Sequence, residues 1–191
     1  TTLEADESAI DAALRLPERK GYGIVKALRE TGKYESRHAY VEIMHGDARE
    51  SVRYLSSHFD YIFLDGFTPD TNPELWTIDF LEKLKDRLKP EGFLASYCGA
   101  YPFKGALLKL GFHLYESKPF GRRRGGTVAA LDSAPILPPM GEKEILIATK
   151  STAGTPYRDP LLRWTRKEIL EDRVRHVAEL RAQGMPKWYK E

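Results

Sequence analysis

A carboxylate, a glycine and a proline-bearing loop follow one of the most apolar short runs in the sequence: Tyr61-Ile-Phe-Leu64, then Asp65-Gly-Phe-Thr-Pro69. A run with no residue to face water predicts a strand buried on both faces of a parallel sheet. Ligands of open α/β sheets bind beyond the carboxyl ends of the strands, so Asp65 is the leading candidate for an active-site group. A carboxylate there can take or relay a proton and orient an amine. An Asx turn or helix cap that closes the strand is the structural alternative. Two further acidic residues stand in like positions, Glu4 after Thr1-Thr-Leu3 and Asp47, followed by Ala48, after Tyr40–Met44. A carboxylate at such a strand-to-helix turn can accept hydrogen bonds from ribose hydroxyls, and capping is again the plain reading.

Aromatic residues accompany these strand ends. Phe67, Trp76, Tyr97 and Tyr101 lie where an aromatic face can stack a splayed-out base. Core packing is the better reading for Trp76, and the two readings are evenly matched for Tyr97. Arg122, Arg123 and Arg124 stand between glycines and suit RNA phosphates, against the alternative of a solvated turn. The five His and one Cys form no ligand spacing, so no metal site is predicted.

The elements that position these residues alternate. Helices are predicted over 7–15, 21–31, 49–57, 77–88 and 102–110, with Thr77 as a cap and Pro90 and Gly92 as a stop. Strands are predicted over 40–44, 59–64, 92–97, 112–118 and 127–131, the last two joined closely enough for an antiparallel pair. Residues 144–149 read equally as strand or helix. A capping box, Thr165 with Glu168, opens a long helix that carries Ile169, Leu170, Val174 and Val177 inward. Alternating strands and helices imply a mostly parallel sheet with right-handed crossovers, and the closing hairpin adds an antiparallel strand at one edge. This α/β pattern is that of class I methyltransferases, although a fold fixes no reaction.

A chain of 191 residues, 41% apolar and 30% charged, is a globular protein rather than a disordered or fibrous one. We read residues 1–150 as the α/β domain and 151–191 as a C-terminal extension whose helix packs on it. A net charge of +2 selects no partner. One cysteine excludes an internal disulfide and, with no signal-peptide pattern and no membrane-length apolar run, predicts a cytoplasmic protein.

The stretch Leu64-Asp-Gly-Phe-Thr-Pro-Asp-Thr-Asn-Pro-Glu-Leu-Trp-Thr77 resembles the signature of the MnmC-type tRNA methyltransferase domain. Ala100–Leu107, Gly111-Phe112 and Phe120–Arg124 are similar to later segments of that family, and Gly154–Pro160 resembles the tail of its stand-alone form, which lacks a flavin oxidoreductase domain. The resemblance implies methylation of the aminomethyl group of a modified tRNA wobble uridine, with S-adenosylmethionine as cofactor and tRNA as partner. The oxidoreductase step would then fall to a separate enzyme. It also implies Glu4 at the cofactor ribose, Asp47 and Ala48 beside the adenine, and Asp65 at the centre of the site. Where bifunctional members carry Arg-Lys-Arg-Glu-Met, this chain has Arg-Arg-Arg-Gly-Gly. The family's first strand and Gly-rich loop would precede Glu4, so the chain as given is expected to lack one wall of the cofactor pocket. Two other functions compete: an aminopropyltransferase, which would not need the Arg-rich hairpin, and a non-catalytic RNA-binding module, which would tolerate loss of Asp65.

Overall fold

The computed structural model describes residues 22–119, 125–132 and 137–189. The chain divides into two compact units, Thr1–Asp47 and Ala48–Glu191. The strand and helix predicted before residue 16 lie outside the described residues.

In the first unit, helix α1 (Tyr22–Thr31) ends at Gly32, whose φ of 72° is the left-handed conformation that closes helices. Strand β1 (Lys33–Glu35) then pairs antiparallel with β2 (Tyr40–Glu42), Lys33 opposite Glu42. The predicted strand at 40–44 is thus shorter and belongs to a two-stranded hairpin. Its partner went unpredicted because Lys-Tyr-Glu is too short and too charged to carry an apolar period.

The second unit holds helix α2 (Ala48–Tyr54), strand β3 (Phe59–Leu64), a 3-10 turn (Pro73–Trp76), helix α3 (Ile78–Lys85), strand β4 (Leu88–Ser96) and helix α4 (Tyr101–Lys109). Strands β5 (His113–Glu116) and β6 (Thr127–Ala130) and helices α5 (Glu142–Lys150) and α6 (Arg166–Ala182) complete it. The sheet order is β3-β4-β6-β5. Strands β3 and β4 are parallel, while β6 runs antiparallel to both β4 and β5. Strands β3, β4 and β5 therefore point the same way, and their carboxyl ends share one edge of the sheet. This is the expected α/β class, with the hairpin at the edge and β6 inserted beside β4.

Helix α3 stops at Lys85, and the residues predicted to finish it and break it, Leu88 to Gly92, instead open β4. The register jumps from Phe59 opposite Leu88 to Tyr61 opposite Phe93, so β4 bulges there, which accommodates a proline inside a strand. A Cβ on Gly92 would lie 2.6 Å from the Asp60 carbonyl oxygen, so only glycine fits. Strand β3 is not buried on both faces: Leu64 is buried, but Tyr61 and Phe63 are 58% and 73% exposed. Leu64 packs toward the core, while Tyr61 and Phe63, on the other face of β3, stay exposed among the described residues.

The core gathers Trp76, Phe80 and Leu81 with Leu94, Phe103, Leu107, Leu114, Ala129 and Ile169. Trp76 and Phe103 meet edge-to-face at 5.0 Å, and truncating an aromatic so enclosed costs about 3–5 kcal/mol. Segment 144–149 is helical: Glu142 and Glu144 in the first turn and Lys150 in the last complement the helix dipole of α5. Helix α6 has the predicted capping box and buries Ile169, but Val174 is 70% exposed. The inward face turns instead on Asp172, buried between Arg158 and Arg175, because ion pairing lets a charged residue take a core position.

Candidate functional site

Asp65 lies one residue beyond the end of β3, on a loop held from several sides. The indole Nε1 of Trp76 donates to the Phe67 carbonyl at 2.8 Å. The Tyr97 hydroxyl, just past β4, donates to the Gly66 carbonyl. Thr71 and Asn72 amides both donate to the Thr68 carbonyl, at 2.8 and 2.9 Å. Gly66 is closely packed: a Cβ there would press on the Leu75 side chain at 3.1 Å and on the Trp76 ring at 3.4 Å, and those side chains would have to give way. From the far end of the chain, the Tyr157 hydroxyl donates to Asp70 Oδ1 at 3.1 Å and Arg166 Nη2 to the Asp70 carbonyl at 2.6 Å. Burial, aided by the Asp70 carboxylate and opposed by Arg173, pushes the Tyr157 hydroxyl up to about 12, so it stays a donor.

Within this pinned loop the Asp65 side chain is exposed and has no hydrogen-bond or ion-pair partner among the described residues. It lines an open pocket of about 660 Å³ with Phe63, Ala95, Tyr97, Lys118 and Val128. Asp65 and Lys118 put one negative and one positive charge into a largely apolar lining with two aromatic residues, which suits a ligand that carries both charges along with apolar parts. A second pocket, of about 730 Å³, adjoins it through Tyr97, Ser117 and Gly126 and contains Lys104 and Glu144.

The structure brings Asp65, Phe67 and Tyr97 to the same strand ends. Phe67 is 74% exposed, free to offer its ring, whereas Trp76 is wholly buried and serves the loop from the core. Ala48 opens α2, partly buried against the core; Asp47 closes the first unit. Glu4 and Arg122, Arg123 and Arg124 lie outside the described residues, although the flanks of the arginine segment, Ser117, Lys118 and Gly126, line the pockets. Sequence reasoning overlooked Tyr157, Arg166, Lys104 and Glu144. The Gly154–Pro160 motif marked the region of Tyr157, but no local period points at a loop some 87 residues upstream. No group of three His, Cys, Asp or Glu among the described residues can hold a metal ion, and none of their helices is long and apolar enough to cross a membrane.

Comparison with known proteins adds to this geometry. A family model described as S-adenosyl-L-methionine-dependent methyltransferase matches residues 16–132. An uncharacterised protein of Methanocaldococcus jannaschii is 33% identical over 78% of this chain and 42% of its own. The tRNA 5-methylaminomethyl-2-thiouridine biosynthesis bifunctional protein MnmC of Ralstonia nicotianae is 33% identical over 62% of this chain and 19% of its own. Among solved structures, MNMC2 from Aquifex aeolicus superposes with a TM-score of 0.74 at 36% identity, covering 86% of this chain and 53% of that one. The chain thus spans less than half the length of these two curated relatives.

Proposed function

From the premise that this chain belongs to the S-adenosyl-L-methionine-dependent methyltransferase family, we propose that it methylates the aminomethyl group of a modified wobble uridine in tRNA, completing a 5-methylaminomethyl-2-thiouridine. The observation that carries the reading is the Asp65 carboxylate, unpaired among the described residues at the end of β3, on a loop fixed by Trp76, Tyr97 and Tyr157. Support for the substrate comes from relatives whose names state this modification. Those relatives are longer than this chain; in this reading an oxidoreductase activity releases the aminomethyl group before it is methylated.

S-adenosylmethionine suits the pocket beside Asp65, since a partly apolar molecule that carries ammonium, sulfonium and carboxylate groups matches an apolar and aromatic lining with one carboxylate and one ammonium. When bound, it supplies an electrophilic methyl carbon whose bond to sulfur breaks with the electron pair leaving on sulfur. An alkylammonium has no lone pair, so it must lose a proton before its nitrogen can form the new bond. Asp65 accepts that proton, directly or through water, and holds the amine in line. In this reading Glu4 holds the cofactor ribose, Asp47 and Ala48 flank its adenine, and Asp65 touches both cofactor and amine. Phe67 and Tyr97 face the base, and Arg122, Arg123 and Arg124 hold RNA phosphates. A tRNA-modifying enzyme of this kind works in the cytoplasm.

The test is single-turnover methylation of tRNA bearing the free aminomethyl group, at saturating S-adenosylmethionine. Asp65→Asn keeps the size of the side chain but removes the base, and the rate is expected to fall about a hundredfold or more. An unchanged rate with weaker cofactor binding would make Asp65 a cofactor anchor. If neither changes, Asp65 is not at the reacting centre.

A further inference from the structure

The second pocket contains a charged pair that the reaction above does not use. Lys104, on α4, is 6% exposed and forms an ion pair with Glu144 on α5. The Tyr101 hydroxyl donates to the other Glu144 oxygen at 2.9 Å, and the ammonium sits 5.2 Å from the centre of the Tyr101 ring. Burying a lysine is costly unless a partner offsets the lost hydration. Here both charges are fixed in position on the wall of a cavity of about 730 Å³ rather than inside packed core. The other charged residue described in its lining is Glu116, so the described lining carries two carboxylates and one ammonium.

Gly99 lines the same pocket, its φ is not in the left-handed region, and a Cβ built on it meets nothing within 4 Å among the described residues. Neither backbone conformation nor packing against the described residues requires glycine there. By contrast Gly126, which shares the lining, would drive a Cβ to 2.2 Å from the Ser96 carbonyl oxygen and is glycine for structural reasons. The absence of a side chain at Gly99 keeps the cavity open, with Tyr97 between it and the Asp65 pocket.

We propose that this cavity seats the base of the acceptor nucleotide, and that Lys104 and Glu144 read its Watson–Crick edge as uracil. The inference rests on the tRNA reading above. Uracil presents a carbonyl acceptor beside an N–H donor, which matches an ammonium donor beside a carboxylate acceptor in that order. Cytosine presents a donor beside an acceptor, the reverse, and leaves both protein groups opposed to like partners. The ion pair between Lys104 and Glu144 persists with either base, so discrimination comes from the contacts that the matched edge adds and the mismatched edge opposes.

The experiment measures binding of two anticodon stem–loop RNAs, identical except for uridine or cytidine at the wobble position, by fluorescence anisotropy at fixed salt. The wild-type chain is expected to favour uridine by about tenfold, the effect of one good edge contact. Gly99→Leu fills the cavity and should abolish the preference without lowering the melting temperature. The paired exchange Lys104→Glu with Glu144→Lys keeps an ion pair but reverses its order, so it should lose or invert the preference. Glu144→Gln serves the same purpose if the exchange unfolds the chain, and should reduce the preference several-fold. An unchanged preference in Gly99→Leu and Glu144→Gln, or none in the wild type, overturns the proposal. Methylation separates it from the reaction. Methyl transfer with an unaltered KM for the stem–loop in Gly99→Leu sinks the base pocket and leaves the reaction standing. Uridine preference without methyl transfer does the opposite.

Discussion

Tyr97 and Gly66 sit just beyond the ends of neighbouring parallel strands, and the tyrosine hydroxyl donates its hydrogen bond to the glycine carbonyl. The peptide next to Asp65 is thereby fixed from the adjacent strand. Tyr97→Phe keeps the ring and removes only that bond, with a stability cost of about 1 kcal/mol. We expect the single-turnover rate to fall about tenfold while the KM for tRNA stays within about twofold, because misplacing a reacting group acts on rate more than on binding. A raised KM with an unchanged rate would give Tyr97 a base-stacking role alone.

Arg49 and Asp159 hold the C-terminal segment to α2. Arg49 Nη1 lies 2.8 Å from Asp159 Oδ2, and the Asp159 side chain is fully buried. Its other oxygen accepts from the amides of Arg163 and Trp164, both at 3.0 Å. Asp159→Ala takes the carboxylate from the Arg49 guanidinium, which still donates to the Trp164 carbonyl at 2.8 Å, and strands the two amides; removing one member of a buried pair costs about 3–5 kcal/mol. Urea unfolding measures this directly. A loss below about 1 kcal/mol, the level of an exposed pair, would show that water replaces the carboxylate.

The arginine segment is tested by salt. Replacing Arg122, Arg123 and Arg124 by alanine should weaken tRNA binding and flatten the plot of log affinity against log salt. Every phosphate left without its arginine brings the slope about 0.7–0.9 closer to zero, since fewer counterions are released. An unaltered slope would assign the segment to the hairpin and not to RNA.

Acid should lower the stability of the chain in two declines set by groups on α6. Burial, with Arg158 and Lys109 adding repulsion against Asp172 and Glu179, holds His176 below its ordinary 6.5. The folded state therefore binds fewer protons than the unfolded chain, and stability falls as pH drops through about 6.5. Burial opposes the charge of Asp172, but hydrogen bonds and charges from Arg158 and Arg175 outweigh it and keep the carboxyl below its ordinary 3.8. Its contribution is complete above the unfolded value of about 3.9 and is lost as pH falls through the folded one. Urea midpoints against pH should show His176→Gln without the first decline and Asp172→Asn with a smaller second decline. Profiles parallel to wild type would remove both groups from the linkage.

The sequence by itself determined the elements whose signals are local. Gly32 and Gly111 end helices at positive φ, Thr77 caps α3 through the Phe80 amide, and Thr165 with Glu168 closes a full capping box. These features depend on residues three or four positions apart, within reach of pattern alone. The signature from Asp65 to Thr77 was legible too, and much of it shapes the loop: Gly66 by packing, Trp76 by its bond to Phe67. Only the tertiary structure decided which side chains meet across long separations. It brought Tyr157 and Arg166 to Asp70, Lys104 to Glu144 and Arg49 to Asp159. It also decided that Val174 faces water while Asp172 turns inward, and that Leu88 begins a strand. In each case a distant charge, a neighbouring strand or an uncovered face outweighs a weak local preference, and no window of adjacent residues contains that partner.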